Sequence, residues 1–160
     1  MSSDGMNQSA QRGIEPTGLQ DLYRELILDH SKHPHGKGLH DGALAQSHQV
    51  NPTCGDEVTL QLQSGADGVI REITWEGHGC SISQASASIL ASVVENDTAQ
   101  QLAERIDSFR TMMHSRGQLA GDEDLLGDAI VFQGASRYVA RVKCAMLPWV
   151  AAEAALADLR

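Results

Sequence analysis

Three cysteines and one aspartate stand out as the residues of this chain that could carry chemistry. Cys54 and Asp56 lie in Asn51-Pro52-Thr53-Cys54-Gly55-Asp56, Cys80 in Gly77-His78-Gly79-Cys80-Ser81, and Cys144 in Arg141-Val142-Lys143-Cys144-Ala145. Three thiolates and a carboxylate would complete a tetrahedral zinc shell, whose ligands sit at about 2.0–2.3 Å. Ligands separated by a single residue converge on an ion only if the backbone bends, and Gly55 permits that bend. Cys80 directly precedes a helical stretch, where the partial positive charge of a helix N-terminus favours thiolate over thiol. A divalent ion with these four ligands would carry net negative charge, which is costly in a dry interior. Arg141, Lys143 and His78 are the residues expected to offset it from around the ligands. A lone buried cysteine is often inert packing. Three cysteines, each beside a glycine or a cation and one in a Cys-x-Asp pair, argue for a metal centre. Thiolates suit an iron–sulfur cluster as well as zinc. Purely structural zinc sites favour cysteine and histidine, so the aspartate suggests a centre that must let go of something.

The elements that position these residues follow from periodicity. Residues 1–16 are polar and aperiodic and read as a loose tail, followed by one domain over 17–160. Leu19, Leu22, Tyr23, Leu26 and Ile27 recur at helical spacing, with Thr17 as N-cap and a stop near Ser31 to His33, ahead of Pro34. His30, His33, His35 and His40 are read as part of a solvated loop and not as a second metal site. Val58, Leu60 and Leu62 alternate with Glu57, Thr59, Gln61 and Gln63, the pattern of a half-buried strand. Beyond the turn Ser64–Gly68, Val69, Arg71, Ile73 and Trp75 would form one strand face and Ile70, Glu72 and Thr74 the other. Residues 43–50 are a third strand candidate.

From Ser81 the period becomes helical, with Ile82, Ala85, Ile89 and Val93 in one stripe. Thr98 and Gln101 fit a capping box ahead of Leu102, Ile106, Phe109 and Met113, and Met112 and Met113 are placed at the core edge. Residues 115–134 are glycine- and acid-rich and read as an inserted acidic loop, with Asp122, Glu123 and Asp124 on a wet face. A last helix should run from about Ser136 towards Leu159, interrupted or restarted at Pro148. Strands first and helices afterwards indicate an α+β fold: a small antiparallel sheet of about three strands packed against several helices.

Composition narrows the partners. At 160 residues the chain suits one domain that needs no disulfide staples. A formal charge of −9 argues against nucleic acid, which calls for a basic patch. No apolar run has transmembrane length and no signal peptide is visible, so no membrane partner is expected. An odd number of cysteines without an export signal points to a reducing cytoplasm.

The blocks Leu22-Tyr23-Arg24-Glu25 through His30, Asn51 to Asp56, Gly79-Cys80-Ser81-Ile82-Ser83 with Ala85 to Ser88, and Arg141 to Ala145 together bring the chain close to one family. It resembles SufU, the zinc-containing branch of the IscU/NifU-like iron–sulfur cluster assembly proteins. The resemblance implies the SufU/IscU-like fold and identifies the segment between Cys80 and Cys144 with the extra segment of that branch. Lys143 stands where the scaffold branch carries a histidine. It further implies zinc held by Cys54, Asp56, Cys80 and Cys144, with Cys54 as the sulfur acceptor and Arg141 beside the metal. The implied activity is zinc-dependent sulfur transfer: persulfide sulfur is accepted from a pyridoxal-phosphate-dependent (SufS-like) cysteine desulfurase and relayed to downstream SUF iron–sulfur assembly proteins. The desulfurase is implied to offer a histidine to the zinc and displace Cys54. A scaffold holding a nascent iron–sulfur cluster on the same cysteines is the main alternative, and a purely structural zinc module is a third.

Overall fold

A computed structural model describes residues 19–159. The tail over 1–16 and the Thr17 cap lie outside these residues. Helix α1 (Leu19–Lys32) ends two residues before Pro34, as the restriction on the residue preceding proline requires. Tyr23, Leu26 and Ile27 of its apolar stripe pack against the core, while Leu22 is 59% exposed. The α+β expectation holds: β1 (Ala45–Asn51), β2 (Asp56–Ser64) and β3 (Ile70–His78) form one antiparallel sheet in that order. Then follow α2 (Ser81–Val93), α3 (Ala99–Met113), the single turn α4 (Glu123–Leu126), a 3-10 stretch over Gly127–Arg137, and α5 (Val139–Ala157). No helix among the described residues is long and apolar enough to cross a membrane.

The core lies between the sheet and the helices. Leu60 and Leu62 of β2 and Ile73 and Trp75 of β3 are at most 1% exposed. Register alone would put Ile70 opposite Ile73. Instead the pairing slips between Gln63 and Ser64, which face Glu72 and Ile70 and leave Arg71 as an extra residue. Such a bulge resets the alternation, so Ile70 is buried with Ile73 and Arg71 is exposed.

The outer sheet face is not half-wet either, because residues 34–44 cross it. Gly38 donates to the Trp75 carbonyl and the Trp75 N–H to that of Gly36, while the Trp75 indole donates to the His35 carbonyl at 2.8 Å. Gly36 has φ +75°, and a Cβ there would press on Ala91 and the Ile73 carbonyl. Beneath this segment Gln61, Gln63 and Thr74 are buried. Gln61 bonds the His40 backbone and Gln46, Gln63 donates to Gln61 and Thr74, and Thr74 donates to Gln61. Buried amides persist only when satisfied in this way. His30 likewise leaves the expected solvated cluster: it is 6% exposed, with Nδ1 2.7 Å from Ser88 Oγ.

Helix α2 is buried on nearly every side, with Ser83 and Ala85–Leu90 all enclosed. Small serine and alanine side chains let α1, α5 and the sheet approach it closely, and Ser86 and Ser88 at its centre are satisfied by groups on neighbouring segments. Ser86, for example, donates to the Ala145 carbonyl at 2.6 Å and accepts from the Trp149 indole at 3.0 Å. The expected capping box is present at the start of α3, with Thr98 accepting from the Gln101 N–H and Gln101 answering to the Thr98 N–H. Met112 and Met113 belong to the core proper, each 1% exposed.

Two expectations about the C-terminal half change. The 115–134 stretch is not simply a loop, since it contains α4 and most of the 3-10 stretch and buries Leu126, Ala129, Val131 and Phe132. Asp122, Glu123 and Asp124 do form an exposed acidic face. Helix α5 passes through Pro148 without a break. Proline removes the donor to the Cys144 carbonyl, but Ala145, Met146, Leu147 and Trp149 are all buried around it. Trp149 also stacks on Phe109 with centroids 4.0 Å apart. Packing on both sides of the lost hydrogen bond holds the helix together.

Candidate metal centre

The turn between β1 and β2 presents Cys54 at its tip. Asn51 organises it: its side-chain oxygen accepts from the Thr53 N–H at 3.2 Å and its carbonyl from the Gly55 N–H at 2.8 Å. Gly55 has φ +78°, a conformation that side-chain-bearing residues resist. The chain then enters β2 with Asp56 paired to Asn51. Cys54 is therefore exposed while Asp56, two residues on, is 1% exposed.

The second cysteine arrives from the end of β3. Cys80 is the N-cap of α2, and its N–H donates to Asp56 Oδ1 at 2.8 Å. Its thiol is 3.3 Å from Asp56 Oδ2, and Ser83 Oγ donates to its carbonyl at 3.1 Å. This approach depends on Gly79, whose φ is +152° and whose Cβ, if it had one, would overlap the Asp56 carboxylate. What the loop at Gly79 directly meets is the aspartate. The third cysteine, Cys144, comes from α5, is 8% exposed and has its sulfur 3.7 Å from that of Cys54.

Ligand atoms of Cys54, Asp56 and Cys144 lie within 4.8 Å of one another. Cys80 falls outside that mutual span but touches the carboxylate at its centre. The donor set fits zinc. Two sulfurs at about 2.3 Å from one tetrahedral ion are about 3.8 Å apart, close to the Cys54–Cys144 separation and far from the roughly 2.05 Å of a disulfide. Burial would raise the Asp56 pKa, but hydrogen bonds from the Cys54 thiol, the Cys80 N–H and the Cys144 and Cys80 thiols outweigh it and hold the carboxyl below the usual range. Burial, reinforced by hydrogen bonds to Asp56, Cys80 and Cys54, pushes the Cys144 thiol far up. A cation is what would let Cys144 shed its proton.

The surrounding charges lie differently from expectation. His78 does not reach the centre: its Nε2 pairs with Glu57 Oε1 at 3.1 Å. Glu57 and Asp56 are neighbours on β2 and so point to opposite faces, and His78, paired with Glu57 in register, follows it to the far face. The Arg141 guanidinium stacks over the Tyr138 ring at 4.8 Å, and Lys143 is exposed. Asn51 and Ser83, which fix the loops bearing Cys54 and Cys80, stand within the family-like blocks of the sequence, but their positioning role shows only once the loops are folded.

The fold and this cluster define a class. The model for the NifU-like N-terminal domain matches residues 22–145, and the chain belongs to that family. It is 38% identical over 140 residues to the zinc-dependent sulfurtransferase SufU of Bacillus subtilis, covering 87% of this chain and 92% of that protein. It is 35% identical over 138 residues to the iron–sulfur cluster assembly scaffold protein IscU of Streptococcus pyogenes, covering 86% and 84%. Among solved structures, the SUF-system protein FiSufU of Fervidobacterium islandicum superposes with a TM-score of 0.72 at 38% identity, covering 82% of this chain and 94% of that one.

Proposed function

We propose that this protein is a cytoplasmic zinc-dependent sulfurtransferase that takes persulfide sulfur from a cysteine desulfurase and relays it for iron–sulfur cluster assembly. The observation that carries this reading is the convergence of Cys54, Asp56 and Cys144 within 4.8 Å, with Cys80 bonded to the same aspartate, in a chain so similar to a zinc-dependent sulfurtransferase. Cys54, Asp56, Cys80 and Cys144 would hold the zinc, which when bound keeps the sulfurs as thiolates at neutral pH. Cys54 and Cys80 are both exposed, but Cys80 is tied to Asp56 through its N–H and thiol, whereas Cys54 stands at the tip of a glycine-bent turn and so is the one able to leave and meet a partner. Its thiolate would attack the outer sulfur of the partner's persulfide, as in thiol–disulfide exchange. A new S–S bond forms on Cys54, the partner's S–S bond breaks, and the partner's cysteine leaves as thiolate. Asp56, held by the Cys80 N–H, and buried Cys144 would be the residues that keep hold of the zinc.

Desulfurase turnover with and without the protein, at known metal content, tests this. The expected result is colourless protein with one zinc that strongly raises turnover, and a Cys54→Ala variant that stays folded and raises it no further than the desulfurase alone. The similarity to IscU favours a second reading, a scaffold on which a cluster forms. Brown protein with labile sulfide, active as a cluster donor, would select that reading.

A further inference from the structure

Beside the metal centre, α1, the start of α2, the 3-10 stretch and the start of α5 enclose a groove of about 770 Å³. Its floor is apolar, formed by Ile27, Ile82, Val131 and Phe132, and Leu28 and Tyr138 at its edge are 41% and 54% exposed. Its rim carries Arg24, Arg137 and Arg141, and no lining residue bears a carboxylate. This is an unusual place in a chain with 21 acidic and 12 basic residues. Arg24 has only a loose contact with Asp21, at 3.9 Å, and no ion pair of Arg137 or Arg141 occurs among the described residues. Arg137 lies against Gly117, which has φ +83° and where a Cβ would strike the arginine side chain. The groove also abuts the chemistry: Ser81 in its wall follows Cys80, and Arg141 lies three residues before Cys144.

We infer that this groove docks a protein partner through an apolar segment bearing carboxylates, with the apolar residues against the floor and the acids against the three arginines. The inference rests on the sulfurtransferase reading, and the partner it assigns to the groove is the cysteine desulfurase. Charge complementarity of this kind acts mainly on encounter and orientation, so the groove would hold the desulfurase's persulfide over Cys54 without taking part in transfer. With a formal charge of −9 the chain as a whole disfavours a carboxylate-rich segment, so a cluster of three arginines without a carboxylate among its neighbours in the groove stands apart.

The test uses the full chain and the purified desulfurase, with binding measured by calorimetry and turnover measured over a range of protein concentration. Arg24→Glu and Arg137→Glu should each weaken binding by about tenfold or more, more so at low salt. Zinc content and maximal turnover at saturation should stay as in wild type. Arg71→Glu changes the net charge equally but lies at the end of β3 remote from Cys80, and it should leave binding unchanged. If all three variants weaken binding alike, or none does, the groove is not the docking site, although a wild-type protein that raises turnover still upholds the sulfurtransferase reading. Lowered maximal turnover with unchanged binding would also overturn the inference, since the arginines would then act on transfer itself. Wild-type protein that neither binds nor stimulates the desulfurase would sink both. Self-association abolished by Arg24→Glu would show that a second copy occupies the groove, which again overturns it.

Discussion

Gly79 sets the tightest constraint at the residue scale. The Cys80 N–H and thiol reach Asp56 only because no side chain stands between that loop and the carboxylate. Gly79→Ala should leave the core intact but displace Asp56 from the position in which it faces three thiols. Metal affinity is expected to fall by about 10–100-fold, the scale seen when the supports of metal ligands are removed. Zinc competition with a chromogenic chelator measures this, and wild-type affinity in the variant would show that the close approach is not needed. His30 makes a second prediction. Burial first, then nearby His35, lowers its pKa below 6.5, partly opposed by Asp128 and Asp29. The folded protein therefore takes up a proton at His30 less readily than the unfolded chain. Its contribution to stability is present above pH 6.5 and is lost as pH falls from there through the lowered folded-state value. Urea denaturation at pH 7.5 and 5.5 should show a smaller acid-induced loss in His30→Gln than in wild type. An equal loss in both would mean that His30 does not contribute.

Among the elements, α3 offers a clean test because its cap is local and exposed. Thr98→Ala removes the acceptor for the Gln101 N–H and should cost about 1 kcal/mol in urea denaturation; an unchanged midpoint would mean the box contributes nothing. This cap was legible in the sequence because it depends on residues three apart. The stop before Pro34, the alternation in β2 and the helical stripe of α3 were legible for the same reason. What was not legible depends on tertiary partners. The extra residue at Arg71 exists only relative to the register of β2, so no pattern within β3 reveals it. Gln61 and Gln63 look like solvent-facing positions until residues 34–44 fold over them. Pro148 reads as a break, and packing around Trp149 overrides it. The 3-10 stretch lacks a 3.6-residue stripe, so its buried Val131 and Phe132 were hidden in what read as loop.

For the whole molecule, the centre is assembled from remote chain: a hairpin turn, a strand-to-helix junction and the second turn of the last helix. Cys54 and Cys144 are 90 residues apart, so spacing alone identifies no ligand pair. The four residues could be singled out in the sequence only by their neighbourhoods and by resemblance. The arrangement of charge around them was not accessible there, because whether His78 meets Asp56 or Glu57 depends on strand pairing. Since a metal held by these four residues would tie three distant elements together, it should also stabilise the fold, as binding to the folded state alone does. Chelation is expected to lower the thermal midpoint of wild type and to have a smaller effect on Cys80→Ala, which lacks one of the proposed ligands. An unchanged midpoint in chelated wild type would place the ion outside the structural framework.

X-ray absorption at the zinc edge of the purified protein tests the central claim most directly. The expected result is one zinc with three sulfur neighbours near 2.3 Å and one oxygen near 2.0 Å, with one sulfur missing in Cys54→Ser. Protein free of zinc, or a zinc shell that keeps all its sulfurs when Cys54 is replaced, would contradict it.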